Sequence, residues 1–385
     1  LDGLPLVDGH CHAILAAAPD PAGFALAATE ADAPMADGLA PLDGAVGLAI
    51  RRWCAPVLDL AAGATIDDYL ARRAELGHGE ANGRLLRAAG LSHLVVDTGL
   101  DGPELAPPAE LGAAAGAQTR EVVRLERVAE RLAAAGVSAA AFAAAYVDAL
   151  AAATVEAVAV KSVLAYRGGF SAEAGRPSRT EVRTAAGRWL ARTAQRAAAA
   201  SGPGATAGST APAAPRLDEP VLLRFVLWCG VDRGLPVQIH TGFGDRDLRL
   251  AAADPALLQP FLAAAENRAV PIVLLHCYPY HRQAGWLAQV YPHVHVDVGL
   301  TVGQVGARAG AVLAEFAELT PFPKLLFSTD GYALPELYLA GAAQFRHGFG
   351  RLLDAWVAEG AMPAGDADRV AAMVGAGNAR RLYGL

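Results

Sequence analysis

Six side chains able to hold a divalent cation stand at or just beyond the ends of apolar runs: His10, His12, Lys161, His240, His276 and Asp330. His10 and His12 flank Cys11, and alternate residues of an extended strand point to the same side. Both imidazoles can therefore reach one ion while Cys11 faces away. Imidazoles with a carboxylate suit zinc first, with manganese or iron as alternatives. Each residue also has a purely structural reading. His240 and His276 could be core histidines bonded to backbone carbonyls. Asp330, followed by Gly331, could close a turn, and Lys161 could snorkel to a rim or pair with an acid. Position separates the two readings, because scattered histidines have no reason to choose strand ends.

The runs that carry these residues read as eight strands: Leu4–Asp8, Leu91–Asp97, Glu121–Leu125, Ala157–Val163, Pro236–His240, Pro271–His276, His293–Val298 and Lys324–Thr329. Glu121–Leu125 could instead open a helix. Helical stretches lie between most of them, among them Leu222–Arg233 and Ala284–Val290. Strands alternating with helices imply a parallel sheet. Eight strands, several of them continuously apolar, favour closure into a (β/α)8 TIM barrel, an α/β fold whose active site lies at the C-terminal ends of the strands.

Two insertions interrupt the rhythm. The first spans about 16–90, contains the helical stretches Val46–Leu60 and Ile66–Leu76, and is expected to roof the barrel mouth. The second spans about 171–219, and its part from Ala197 to Pro215, rich in Ala, Gly, Ser, Pro and Thr, reads as a flexible loop. No internal repeat is visible. The 385 residues are therefore expected to form a single barrel domain with elaborated loops.

Composition narrows the function. The chain is 54% hydrophobic and 6% aromatic, so a core of Leu, Val and Ala with few rings is expected. Its 39 acids and 32 bases leave a net charge of −7 with no basic block, which argues against nucleic acid or an anionic membrane. The apolar stretch Leu132–Val147 is mostly alanine, soon followed by charges, and falls short of the about 20 strongly apolar residues a membrane span needs. Cys11, Cys54, Cys229 and Cys277 are scattered without a CxxC pair, as expected for a reducing cytoplasm. The chain opens at Leu1 with no visible signal peptide.

The motifs DGHCH (Asp8–His12), VKSVLAYRGG (Val160–Gly169), VQIHTGFGDRD (Val237–Asp247), VLLHCYPY (Val273–Tyr280), FSTDGYALPE (Phe327–Glu336) and NARRLYGL (Asn378–Leu385) resemble the amidohydrolase superfamily. Within it they are most similar to the amidohydrolase-2 group that includes the amidohydrolase-like part of FluG and nodulin-type proteins. The resemblance runs from the first strand to the C-terminus, but residues 16–90 and 171–219 match none of its motifs. It implies metal ligands at His10, His12, His240 and Asp330, and it leaves a fork. Binuclear members add His276 and a carboxylated Lys161 that bridges two ions. Mononuclear members use His276 to polarise the substrate. All six positions being filled favours two ions.

The chemistry implied is hydrolysis of an amide C–N bond in a small, carboxylated substrate, with a γ-glutamyl amide as one candidate. A bound divalent ion acidifies its water towards a pKa of about 7, Asp330 would shuttle the proton, and burial beside cations would favour the neutral Lys161 that carboxylation requires. Arg167, Tyr278, Tyr332 and Glu336 are expected to contact substrate. Arg124 with Glu126, which would share a face if the third strand is real, and Asp245, Arg246 and Asp247 are weaker candidates. His93, His281, His293, His295 and His347 read as structural or rim residues, and His78 as exposed. The competing readings are a one-metal non-oxidative decarboxylase, an isomerase on the same barrel, and a metal-binding module without turnover. Partners are expected to be limited to the small molecule, with a homo-oligomer left open.

Overall fold

The computed structural model describes residues 1, 3–36, 40–100, 104–200 and 214–385. Its centre is a parallel sheet in chain order, β1 (Leu6–Cys11), β2 (Leu91–Asp97), β3 (Gln118–Arg124), β4 (Ala159–Ser162), β5 (Val237–Thr241), β6 (Ile272–His276), β7 (Val294–Asp297) and β8 (Leu325–Leu326). The seam is closed by β1 against the segment after β8. Gly9 N–H donates to Phe327 O at 3.1 Å, Asp330 N–H to His10 O at 3.0 Å, and His12 N–H to Gly331 O at 2.8 Å. The fold is the (β/α)8 barrel that the strand–helix alternation predicts.

Strands β4, β5 and β6 are buried along their whole length, because helices cover one face and the barrel fills the other. Inside, Val7, Val95, Val122, Ala159, Val273, Leu275 and Leu326 pack with Ala376, Ala379 and Tyr383. The C-terminal helix Asn378–Tyr383 therefore seals the floor. Gln238 pins it by donating to Tyr383 Oη at 2.8 Å and to Gly9 O at 2.8 Å. With the floor closed, the strands' C-terminal ends form the open mouth.

The first insertion is helical, with helices Pro21–Ala27, Ala45–Trp53, Ile66–Leu76 and His78–Ala88. Thr65 caps the third by accepting from Asp68 N–H at 3.1 Å. The second insertion departs from expectation over its first half, where Arg179–Ala200 is a 22-residue helix. Ser178 and Glu181 form a reciprocal capping box at its start, and the buried Trp189 docks it on the barrel. Of the segment read as a flexible loop, 197–200 belong to this helix and 201–213 lie outside the described residues.

Two further expectations are corrected, and the non-spanning reading of 132–147 agrees with the structure. Strand β3 starts at Gln118 and stops at Arg124, so Glu126 lies in the following helix, away from the Arg124 face. There it is buried, accepting from Ser162 Oγ at 2.6 Å and Val163 N–H at 3.0 Å. His78 is half-buried, with Nε2 3.0 Å from Leu15 O and 3.1 Å from Asn82 Nδ2. The apolar stretch 132–147 splits between helices Leu125–Ala134 and Phe142–Ala153, and among the described residues no helix is long and apolar enough to cross a membrane.

Candidate metal centre

His10 and His12 leave the end of β1 on the same side, with ring centroids 5.1 Å apart, while Cys11 turns outward towards Val95 O. Asp330 reaches them from the segment after β8. Its Oδ1 lies 3.2 Å from His10 Nε2 and 3.5 Å from His12 Nε2. The ligand atoms of these three residues all lie within 4.8 Å of one another. His276, at the end of β6, faces Asp330 Oδ2 at 3.7 Å from Nε2, and its ring is 4.6 Å from that of His240 on β5. Residues from four strand ends thus converge on one point of the mouth. Asp330 and His276 both adopt left-handed backbone, φ 52° and 67°. Such non-glycine geometry costs energy and is typical of functional sites.

The donor set fits a divalent cation. His12 presents Nδ1 to Asp97 O at 3.4 Å and His276 presents Nδ1 to Gly299 O at 3.3 Å, so each ring keeps its proton on Nδ1 and turns the Nε2 lone pair inward. His240 Nε2, His276 Nε2 and Asp330 Oδ1 are buried and lack a hydrogen-bond partner. Converging lone pairs with nothing to satisfy them are costly unless a cation takes them up. Charge states agree. Burial, then the Lys161 charge, lowers His10 to about 3, and burial lowers His276 to about 4, so both are neutral ligands at pH 7. Burial alone would raise Asp330, but the imidazoles of His276, His10 and His12 hold it well below the usual carboxylate range.

Lys161, on β4, points into the same sphere. Its Nζ lies 2.7 Å from His10 Nε2 and 3.3 Å from Asp97 Oδ2. Asp97, at the end of β2, also accepts from Arg124 Nε at 3.1 Å and Nη2 at 2.6 Å. Burial favours the neutral amine and lowers Lys161, while Asp97 pulls the other way. Below this layer, Asp8 joins β1 to the β8 segment by accepting from Thr329 N–H at 2.9 Å. Burial pushes its carboxyl up to about 8.

The amidohydrolase family model Amidohydro_2 matches residues 7–385. The chain belongs to this amidohydrolase family. Protein fluG of Emericella nidulans is 40% identical over 152 residues, which are 39% of this chain and 17% of that protein. The match therefore spans only a small part of fluG. Among solved structures, a Lactobacillus casei ATCC 334 protein described as a candidate metal-dependent hydrolase superposes with a TM-score of 0.82 and 25% identity, covering 100% of this chain and 96% of that one. Uronate isomerases share the fold at lower identity. The Thermotoga maritima enzyme gives a TM-score of 0.64 at 14% identity, covering 100% of this chain and 95% of its own. The Bacillus halodurans C-125 enzyme gives 0.60 at 12%, covering 99% and 94%.

In this family member the mouth opens into a cavity of about 580 Å³ lined by His12, His240, Lys161 and Asp330. Of the residues expected to contact substrate, Arg167 and Tyr332 line it. Arg167 Nη2 donates to Glu130 at 3.1 Å but its Nε has no partner, and Tyr332 stands edge-on to His12 at 6.0 Å. Two others do not line it. Tyr278 turns sideways to stack on His281 at 5.5 Å. Glu336 is fully buried beneath the insertion, accepting from Tyr69 Oη and Arg73 Nε at 2.8 Å each. It begins the helix Pro335–Ala358, whose first turn aims it at the insertion and away from the mouth. Asp245 and Asp247 also line the cavity.

Asp97 and Tyr166 went unrecognised in the sequence, whereas Arg124 is one of its weaker substrate candidates. Asp97 ends a strand, so the strand-end rule applied to the histidines would have found it. Arg124 lines the cavity from the end of β3. Tyr166, on the turn Leu164–Arg167, packs tilted against His240 with centroids 4.6 Å apart. Its only sequence signal is its place in the Val160–Gly169 motif.

Proposed function

We propose that the chain is a metal-dependent amidohydrolase that cleaves the C–N bond of a small carboxylated amide. The convergence of His10, His12 and Asp330 at one point of a cavity whose wall carries Arg124 and Arg167 supports this reading most directly. His10, His12, His240 and Asp330 would hold one divalent ion, zinc by donor type, and that ion supplies Lewis acidity and an acidified water when bound. The Asp97–Lys161 contact favours a single ion, because the carboxylate opposes the burial that would free the neutral amine, and only the neutral amine can take up CO2.

The remaining work falls to the chain's own groups. Asp330, held ionised, takes a proton from the attacking water and returns it to the leaving nitrogen, while His276 Nε2 faces its Oδ2 at 3.7 Å. Arg167, whose guanidinium lines the cavity, binds the substrate carboxylate. Tyr332 closes the pocket beside His12, and the helical insertion, contributing residues from Leu15 to Asp32, excludes bulk water.

The test is elemental analysis of the purified protein followed by a panel of carboxylated amides, with amine or ammonia release as readout. Release from the metal-loaded protein, lost in Asp330→Asn, is the expected result. Release of CO2 without amine would point to a decarboxylase, and aldose–ketose interconversion of uronates to an isomerase. Either would overturn the proposal.

A further inference from the structure

The two ends of the cavity differ in chemistry. Arg124 and Lys161 reach it from β3 and β4, and Arg167 from the turn after β4. The eight strands run in chain order around the barrel, so β7 and β8 stand across the mouth from β3 and β4. Asp330 apart, every lining residue that follows β7 or β8 is apolar or aromatic: Leu300, Tyr332, Ala333 and Leu337. Leu15 joins them from the β1 side, its N–H donating to Ala333 O at 2.9 Å, and Leu26 of the insertion's first helix lines the same cavity. The insertion's acidic end leans the other way, with Asp32 reaching Arg246 of the β5 loop at 3.4 Å. Two of the apolar residues are held where the backbone resists a side chain. Leu300 has φ 57° and ψ −58°, the rare and strained γ-turn, closed by Thr301 N–H donating to Gly299 O at 2.5 Å. Ala333 has φ 61°. Glycine would occupy either place at lower energy. The Leu300 turn is anchored at the metal centre: its N–H donates to Thr329 O at 3.1 Å, and its Gly299 carbonyl is the one that faces His276 Nδ1 at 3.3 Å.

We infer that the β7–β8 end is a subsite for a bulky apolar group, so that the site takes amides with a carboxylate at one end and an aryl or branched alkyl group at the other. The arginine wall takes the carboxylate and the opposite end takes the hydrocarbon, which fixes the direction in which the amide lies across the mouth. Tyr332, edge-on to His12 at 6.0 Å, is 37% exposed, and a ring packed against it would remove that apolar surface from water. The cavity's volume of about 580 Å³ falls in the range that holds ligands with such a group. The inference rests on the amidohydrolase reading for the carboxylate and the amide; the apolar half stands on Leu300, Tyr332 and their neighbours.

Binding of 3-phenylpropionate and propionate to the metal-loaded protein, measured by calorimetry, tests this without turnover, because the two differ only in the phenyl ring. The expected result is 3-phenylpropionate binding at least about tenfold tighter, the low end of what burying a phenyl group gives. In Tyr332→Ser that preference falls by at least about threefold, and in the double variant Leu300→Gly, Tyr332→Ser it falls to near unity with metal content unchanged. Glycine suits the Leu300 backbone, so the double variant is expected to fold. If it sheds metal, the fall in Tyr332→Ser alone decides. Equal binding in the parent protein, a preference that both variants keep, or no binding of 3-phenylpropionate at millimolar concentration overturns the inference. Glycine release from hippurate and N-acetylglycine is followed separately. If neither is cleaved while the phenyl preference holds, amide hydrolysis fails and the apolar subsite stands. If both are cleaved alike and the phenyl preference is absent, amide hydrolysis stands and the subsite fails.

Discussion

Asp97 Oδ2 lies 3.3 Å from Lys161 Nζ, and its charge opposes the burial that lowers the lysine beside the histidines. Arg124 shares the same oxygen at 2.6 Å, so Asp97 serves two bases and is pulled far below the usual carboxylate range despite its burial. Removing Asp97 would ease loss of the Lys161 proton, since Asp330 would then be the remaining carboxylate that opposes burial. We expect Lys161→Met to leave one metal per chain, as measured by elemental analysis, with reduced turnover from the lost positioning of His10. A drop from two metals to one would instead establish a carbamate bridge. Asp97→Asn should weaken metal affinity by about 10–100-fold, the usual cost of losing a group that orients ligands.

Metal retention follows from the lone pairs that converge at the mouth. Asp330→Ala and His10→Ala should each lose the ion on dialysis and reduce kcat by about 10²–10⁴-fold. Chelation of the parent protein should lower its melting temperature, because a ligand bound only by the folded state stabilises it. Asp330→Ala protein should show no such shift. Equal melting of chelated and metal-loaded parent protein would remove these residues from a metal site.

Tyr166 and Gly244 meet at the edge of the pocket. A Cβ on Gly244 would overlap the Tyr166 hydroxyl and lie 3.2 Å from His240 Nε2. Gly244→Ala must therefore push the ring off His240, at a typical overpacking cost of about 1–3 kcal/mol. We expect kcat/KM on the best amide to fall by about tenfold with metal content intact, and Tyr166→Ala to relieve the clash in the double variant. Unchanged kinetics in Gly244→Ala would place Tyr166 outside the reaction.

The barrel and most of the candidate metal set were readable because both obey strong periodic rules. Apolar runs recur between helical stretches, and His10, His12, His240, His276 and Asp330 each stand where such a run stops. What escaped the sequence was direction. Tyr278 and Glu336 also follow strand ends, yet one turns sideways onto His281 and the other down under the insertion. The phase of a short turn, invisible in composition, decides this. The helix Arg179–Ala200 was hidden for another reason: the alanine-rich composition that continues beyond it suggested a loop, although Ser178 and Glu181 carry a helix-start signature. Asp97 needed only the rule already applied to its neighbours.

Glu336 gives the sharpest stability prediction, because it ties the insertion to the barrel from a fully buried position. Its Oε1 accepts from both Arg73 Nε and Tyr69 Oη at 2.8 Å, and Arg73 passes the link to Asn82 Oδ1 at 2.7 Å. Glu336→Gln keeps the shape but leaves the Arg73 guanidinium buried without a counter-charge. Breaking a buried pair from one side costs about 3–5 kcal/mol. The loss should appear in urea unfolding, together with faster proteolysis within residues 40–90, while the barrel's far-ultraviolet circular dichroism is retained. The double variant Arg73→Met, Glu336→Gln removes the orphaned charge and should recover much of the loss. If the single variant is as stable as the parent, the insertion is held by its apolar contacts alone. If it loses activity with no change in stability, Glu336 belongs with the residues that contact substrate after all.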